Sequence, residues 1–209
     1  MIRTVLYIIL FSCAASTLTA QKILEKEWAA TGMHSVILQS DVLYNVQIFS
    51  EEVNTISLLT TIEGETFENV LIEATEKAGV LHLSLGYSPF FIPENDKLAA
   101  HKVLGIEMVL RVPKDFSVSV QSALASVMAK GTFTHLEVAL AQGDCEVFQF
   151  LGNATLQTLT GAIMVYAKQG VSGIATSQTG EVLNVLPANG DYKIHAESRT
   201  GTIQLLQTK

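Results

Sequence analysis

Asp144 and Glu181 are the first pair to weigh for chemistry. In the C-terminal half each stands one residue beyond a recurring small residue, in a row reading Ser126, Asp144, Ala162, Glu181 and Thr202. Were these segments to stack as extended coils, the two carboxylates would lie two coils apart, roughly 10 Å at ordinary strand spacing. That separation suits an inverting hydrolase pair, but no third polar residue assists, and a solvated face accounts for both. The histidines His34, His82, His101, His135 and His195 never fall at i, i+2 or i, i+4, the spacings of a metal pair on one element. His195 shares its row with Thr155 and Ile174. No Gly-rich phosphate loop and no Ser-centred nucleophile elbow occurs. The expectation is a non-enzymatic chain with no catalytic residue, cofactor or metal.

Other side chains point to contacts. Phe148 and Tyr166 share an offset on neighbouring repeats, as sugar-stacking rings would, though packing at a corner is the preferred reading. A row three residues past the repeat anchors reads Met128, Glu146, Met164, Leu183 and Gln204, and a row two before them reads Ala123, Ala141, Leu159, Gln178 and Arg199. Both are nominally outward yet rich in apolar residues, so something covers them: the N-terminal strands and the 86–102 loop, or else a partner or a second copy. Phe90 and Phe91, between prolines in that loop, are either a lid or a contact site. Cys145, flanked by Asp144 and Glu146, reads as a small buried hydrophobe, because a reactive thiol needs a cationic setting. A net charge of −7 with no Lys/Arg cluster excludes nucleic acid.

These residues need β-structure to position them. From about Phe116 onward the sequence repeats with anchors Ala125, Gly143, Gly161, Gly180 and Gly201, at intervals of 18, 18, 19 and 21. Val127, Cys145, Ile163, Val182 and Ile203 follow each anchor by two. Apolar alternation has period 2 on either side but slips by one across the anchor, which predicts a bend there; Gly143, Gly161, Gly180 and Gly201 are read as turn residues that tolerate positive φ. Stacked coils of a single-stranded β-solenoid explain the recurrence, and an antiparallel meander is the alternative.

The run Arg111-Val112-Pro113-Lys114 leading into units such as Gly161-Ala162-Ile163-Met164-Val165 resembles the bacterial putative-adhesin domain family with β-strand repeats. The resemblance covers residues of about 30 to 209. It implies an exported protein with a right-handed parallel β-helix-like fold and no catalytic motif.

Residues 33–112 carry short apolar or alternating stretches at 35–38, 42–49, 55–61, 70–74, 80–85 and 103–112, with a hairpin turn at 76–79. The one helix-compatible segment is 22–30. Residues 1–20 read as a signal peptide: Arg3, an apolar run, then Leu18-Thr19-Ala20; acylation of Cys13 is the rival reading. The expected organisation is a leader (1–20), an N-terminal β region of irregular coils or a cap (21–112) and repeats (113–209). No later stretch is long and apolar enough to span a bilayer. The function expected is that of an exported envelope protein, adhesin-like, binding an envelope protein or a glycan, with self-association possible; a glycan-binding or glycan-processing protein is the alternative.

Overall fold

A computed structural model describes residues 21–64, 67–89, 91 and 105–208. The leader, Cys13, Phe90 and His101 lie outside the described residues. The described residues are all-β, with one 3-10 turn, Phe67–Asn69, besides the strands. The first seven strands are β1 (Gln21–Ala29), β2 (Ser35–Ser40), β3 (Asn45–Glu51), β4 (Thr55–Glu63), β5 (Val70–Lys77), β6 (Val80–Tyr87) and β7 (Gly105–Pro113). Then come β8 (Phe116–Ser122), β9 (Ser126–Leu140), β10 (Cys145–Thr158), β11 (Ile163–Ala167), β12 (Val171–Ser177), β13 (Val182–Asn184), β14 (Tyr192–Ser198) and β15 (Ile203–Gln207).

The strands form one hydrogen-bonded network in two stacks. One runs β1-β4-β7-β3-β9-β10-β11-β15-β13; the other runs β5-β6-β2-β8-β9-β10-β14-β12. Strands β9 and β10 belong to both because each bends midway, where the register shifts between Phe148 and Asn153 and where Gly131, Gln149 and Gly152 take positive φ. The buried faces of both stacks close on one apolar core.

A purely parallel, single-stranded β-helix is not what forms. The sheet is open and mixed: β1/β4, β4/β7 and β5/β6 are antiparallel. Connection length explains this: a parallel neighbour in the same stack is reached by a long connection, here a passage through the other stack, whereas a few residues that return to the same stack reverse the chain. Ala78 and Gly79, both at positive φ, make the two-residue turn of the β5–β6 hairpin. Residues 52–54 likewise reverse the chain between β3 and β4, and β7 later inserts between those two strands.

The segment read as helix-compatible is strand β1. Leu24 and Trp28 pack against the core, and their spacing of four satisfies a period of 2 as well as one of 3.6.

The C-terminal strands pair in parallel. Val127, Cys145, Ile163, Ile203 and Val182 are successive Cα partners in that order. The file exists, but the last two segments are exchanged. Strand β14 lies between β10 and β12, and β15 lies between β11 and β13, so the final stretch of chain slots inside the one that precedes it.

Candidate functional site

The bends between stacks are built by hydroxyls and glycines together. Three residues before each anchor stand Ser122, Leu140, Thr158, Ser177 and Ser198, facing inward. Ser122, Ser177 and Ser198 each accept the N–H of their own anchor, at 3.2, 3.0 and 2.8 Å. Thr158 instead donates to the Gly161 carbonyl at 2.7 Å. These bonds satisfy polar groups that the bend would otherwise bury unpaired. The bend that lacks a hydroxyl, at Leu140, is the one whose anchor, Gly143, takes positive φ (90°).

Gly161, Gly180 and Gly201 are therefore not there for positive φ, which corrects the sequence-based reason for them. Their cause is close approach. A Cβ on Gly161 would overlap the Gly143 carbonyl, one on Gly201 the Gly161 carbonyl, and one on Gly180 the Gly201 carbonyl.

Beside these bends the second stack carries a groove of about 580 Å³. Its floor is made of small residues, Ala123, Ala139 and Ala141. Gln121 and Gln157 wall it, Leu159 stands beside Ala141, and Asp41 lies at one end with Glu197, Arg199 and Gln178 at the other. The floor is low because Ala139 pairs with Gln121 on one side and Gln157 on the other, so a methyl sits between two long amides in one outward row. Gln39 extends that row at one end and Glu197 at the other. Sequence reading singled out Ala123, Ala141, Leu159, Gln178 and Arg199 but missed Gln121, Ala139 and Gln157. The row four residues before each anchor, Gln121-Ala139-Gln157-Thr176-Glu197, held that signal.

The other candidates are dispersed. Asp144 accepts the N–H of Ala162 at 2.8 Å. The exchange of the last segments sets Glu181 three strand spacings from it, roughly 14 Å, beyond the reach of an inverting pair. Phe148 and Tyr166 stack at 5.4 Å and 9° from parallel, so each spends a ring face on the other and not on a sugar. Met128, Glu146, Met164, Gln204 and Leu183 form one outward row of the first stack. Met128 and Met164 are half-buried, and Leu183 is 48% exposed at the β13 edge. Phe91 lies elsewhere, against Tyr87 with ring centroids 5.2 Å apart. Cys145 is fully buried, and burial, then Glu146 and Asp144, push its thiol up to about 12. His195 sits between Thr155 and Ile174 and pairs with Glu197 at 3.1 Å. Among the described residues no group of three or more His, Cys, Asp or Glu is placed to hold a metal ion, and no helix is long and apolar enough to cross a membrane.

A second concavity, about 410 Å³, gathers Arg111, Lys114, Lys130 and Lys168 near Phe49. Arg111 and Lys114 meet counter-ions inside it, Glu51 at 2.6 Å and Glu52 at 2.9 Å.

No family model matches the chain, and no curated protein matches it. Solved structures do. A "putative cell adhesion protein" from Clostridium sporogenes ATCC 15579 superposes with a TM-score of 0.68 at 12% identity, over 90% of this chain and 100% of that one. A "putative adhesin" from Bacteroides fragilis NCTC 9343 aligns with a TM-score of 0.40 at 14% identity, over 88% and 97%. The first likeness shows a shared fold.

Proposed function

We propose that this chain is an exported, non-enzymatic, adhesin-like protein of the cell envelope or exterior, and that the groove of the second stack is its recognition surface. The carrying observation is the row Gln39-Gln121-Ala139-Gln157-Glu197, in which amides flank a methyl-floored gap on a rigid sheet. Gln39 donates to Gln121 at 3.2 Å and Gln157 to Glu197 at 3.4 Å, exposed contacts that favour one arrangement of the walls and so lower the ordering cost of binding a little. Export rests on the leader reading, and the fold shared with a protein named for cell adhesion supports the adhesin-like role. Retention of the labelled full chain on envelope fragments tests this. Wild type should be retained and Ala139→Trp should not; equal retention of both contradicts the reading.

A second contact surface has its own observation. At the open C-terminal end Ile174, Val182, Leu183 and Val185 are 43 to 54% exposed, and strands β12 and β13 each pair on one side only. They lack the charges that guard the opposite edge, where β1 carries Lys22, Glu25, Lys26 and Glu27. Self-association through this edge follows, and sedimentation of wild type against Leu183→Lys measures it: a concentration-dependent dimer should be lost in the variant.

A further inference from the structure

We propose that the groove takes a neutral glycan, with one hexose ring seated on Ala139 between Gln121 and Gln157; this rests on the groove being the recognition surface. The hydrogen bonds along the row polarise the gap. Because Gln39 Nε2 donates to Gln121 Oε1, Gln121 turns its own Nε2 donor towards Ala139. Because Gln157 Nε2 donates to Glu197 Oε2, Gln157 turns its Oε1 acceptor towards Ala139 from the other side. A donor and an acceptor thus face each other across two strand spacings, roughly 10 Å.

A hydroxyl both donates and accepts. A ring bearing hydroxyls on opposite edges satisfies both amides in a single pose, with its C–H face on the methyls of Ala139 and Ala141 and on Leu159, which is 51% exposed. Neighbouring sugar units then reach Gln178 and Arg199 at one end of the groove and Asp41 at the other.

The geometry disfavours the competing ligand classes. An extended peptide binds a sheet by adding a strand at an edge, where main-chain groups are unpaired. This groove lies on the face of β8, β9 and β10, whose backbones are already laddered to one another. Anionic polymers meet Asp41 and Glu197 against the single cation Arg199. Glu197 also meets His195 Nε2, two residues earlier on β14, at 3.1 Å, a second contact beside the one from Gln157.

The test is calorimetric titration of the full chain with neutral oligosaccharides of hexose and N-acetylhexosamine units, selected by an array of the same sugars. Wild type and Gln47→Ala, a control on the other stack, should bind equally. Gln157→Leu should bind roughly tenfold or more weakly, and Ala139→Gln, which fills the gap, should not bind. Thermal unfolding checks that each variant is folded; Gln157→Leu replaces an exposed side chain and carries the test should Ala139→Gln unfold. Undiminished binding by both variants overturns the seat. Failure of every neutral oligosaccharide to bind wild type overturns the ligand class, and in that case a groove cross-link to a protein leaves the recognition surface standing.

Discussion

The hydroxyls of Thr158 and Ser198 lie 3.0 Å apart across 40 residues of chain, and Ser198 is the donor, because Thr158 gives its one proton to the Gly161 carbonyl. Ser177, which follows Thr158 in the row three residues before each anchor, lies beyond Ser198. The exchange shapes the groove, because it brings Glu197 and Arg199, not Thr176 and Gln178, against Gln157 and Leu159. The charged end of the groove depends on it.

Paired cysteines read out that order. Met164 and Gln204 are Cα partners, whereas Gln204 separates Met164 from Leu183. Neighbouring strands lie about 4.8 Å apart, within disulfide reach, and alternate strands about 10 Å apart, outside it. Met164→Cys with Gln204→Cys should oxidise to a disulfide, and Met164→Cys with Leu183→Cys should not, as followed by mass spectrometry of linked peptides.

The glycine row separates crowding from backbone conformation. At Gly161 a methyl meets a carbonyl with no flexible neighbour to yield, so Gly161→Ala should lose about 3 kcal/mol or more in urea unfolding. Gly32 has positive φ (80°) and open space around it. Gly32→Ala should lose only about 1 kcal/mol.

Cys145 sets a pH dependence. With its folded thiol held up at about 12, the unfolded chain releases this proton first as pH rises, so the native state binds more protons and stability falls above the ordinary thiol range. Below that range both states keep the proton and the contribution is level. The decline should run from about pH 9 towards 12, and Cys145→Ala should remove its share of the slope. Alkylation of the native protein at pH 8 should spare Cys145 until denaturant is added.

Thr60 is fully buried, and its hydroxyl has no hydrogen-bond partner in the structure. It pairs with Met108 in the inward file that continues through Val46 to Val127. Thr60→Val keeps the shape and removes an unsatisfied polar group, so it should stabilise the fold by about 1 kcal/mol, read from the urea midpoint.

What the sequence revealed is what periodicity carries. Val127, Cys145 and Ile163 were alignable because strand pairing repeats an inward aliphatic at fixed spacing. The exchange of the last two segments was hidden, because Val182 and Ile203 fit the same offset whichever stacks first. The mixed sheet was legible in part: the turn at 76–79 announced the antiparallel β5–β6 pair, but alternation in β4 or β7 is the same for a parallel and an antiparallel neighbour, and there only the connection at residues 52–54 hints at a reversal. The groove was half legible. Ala123 and Ala141 stood out as apolar outward residues, but Ala139 matters for being shorter than Gln121 and Gln157, a contrast visible only along the row that joins them.

Photo-cross-linking in intact cells tests the recognition surface most directly, with a benzophenone side chain placed at Ala141 in the groove and, separately, at Ala74, exposed on β5. A defined adduct from position 141, lost on adding Gln157→Leu and absent from position 74, is the expected result. Equal labelling from both positions, or an adduct from 74 alone, would contradict it.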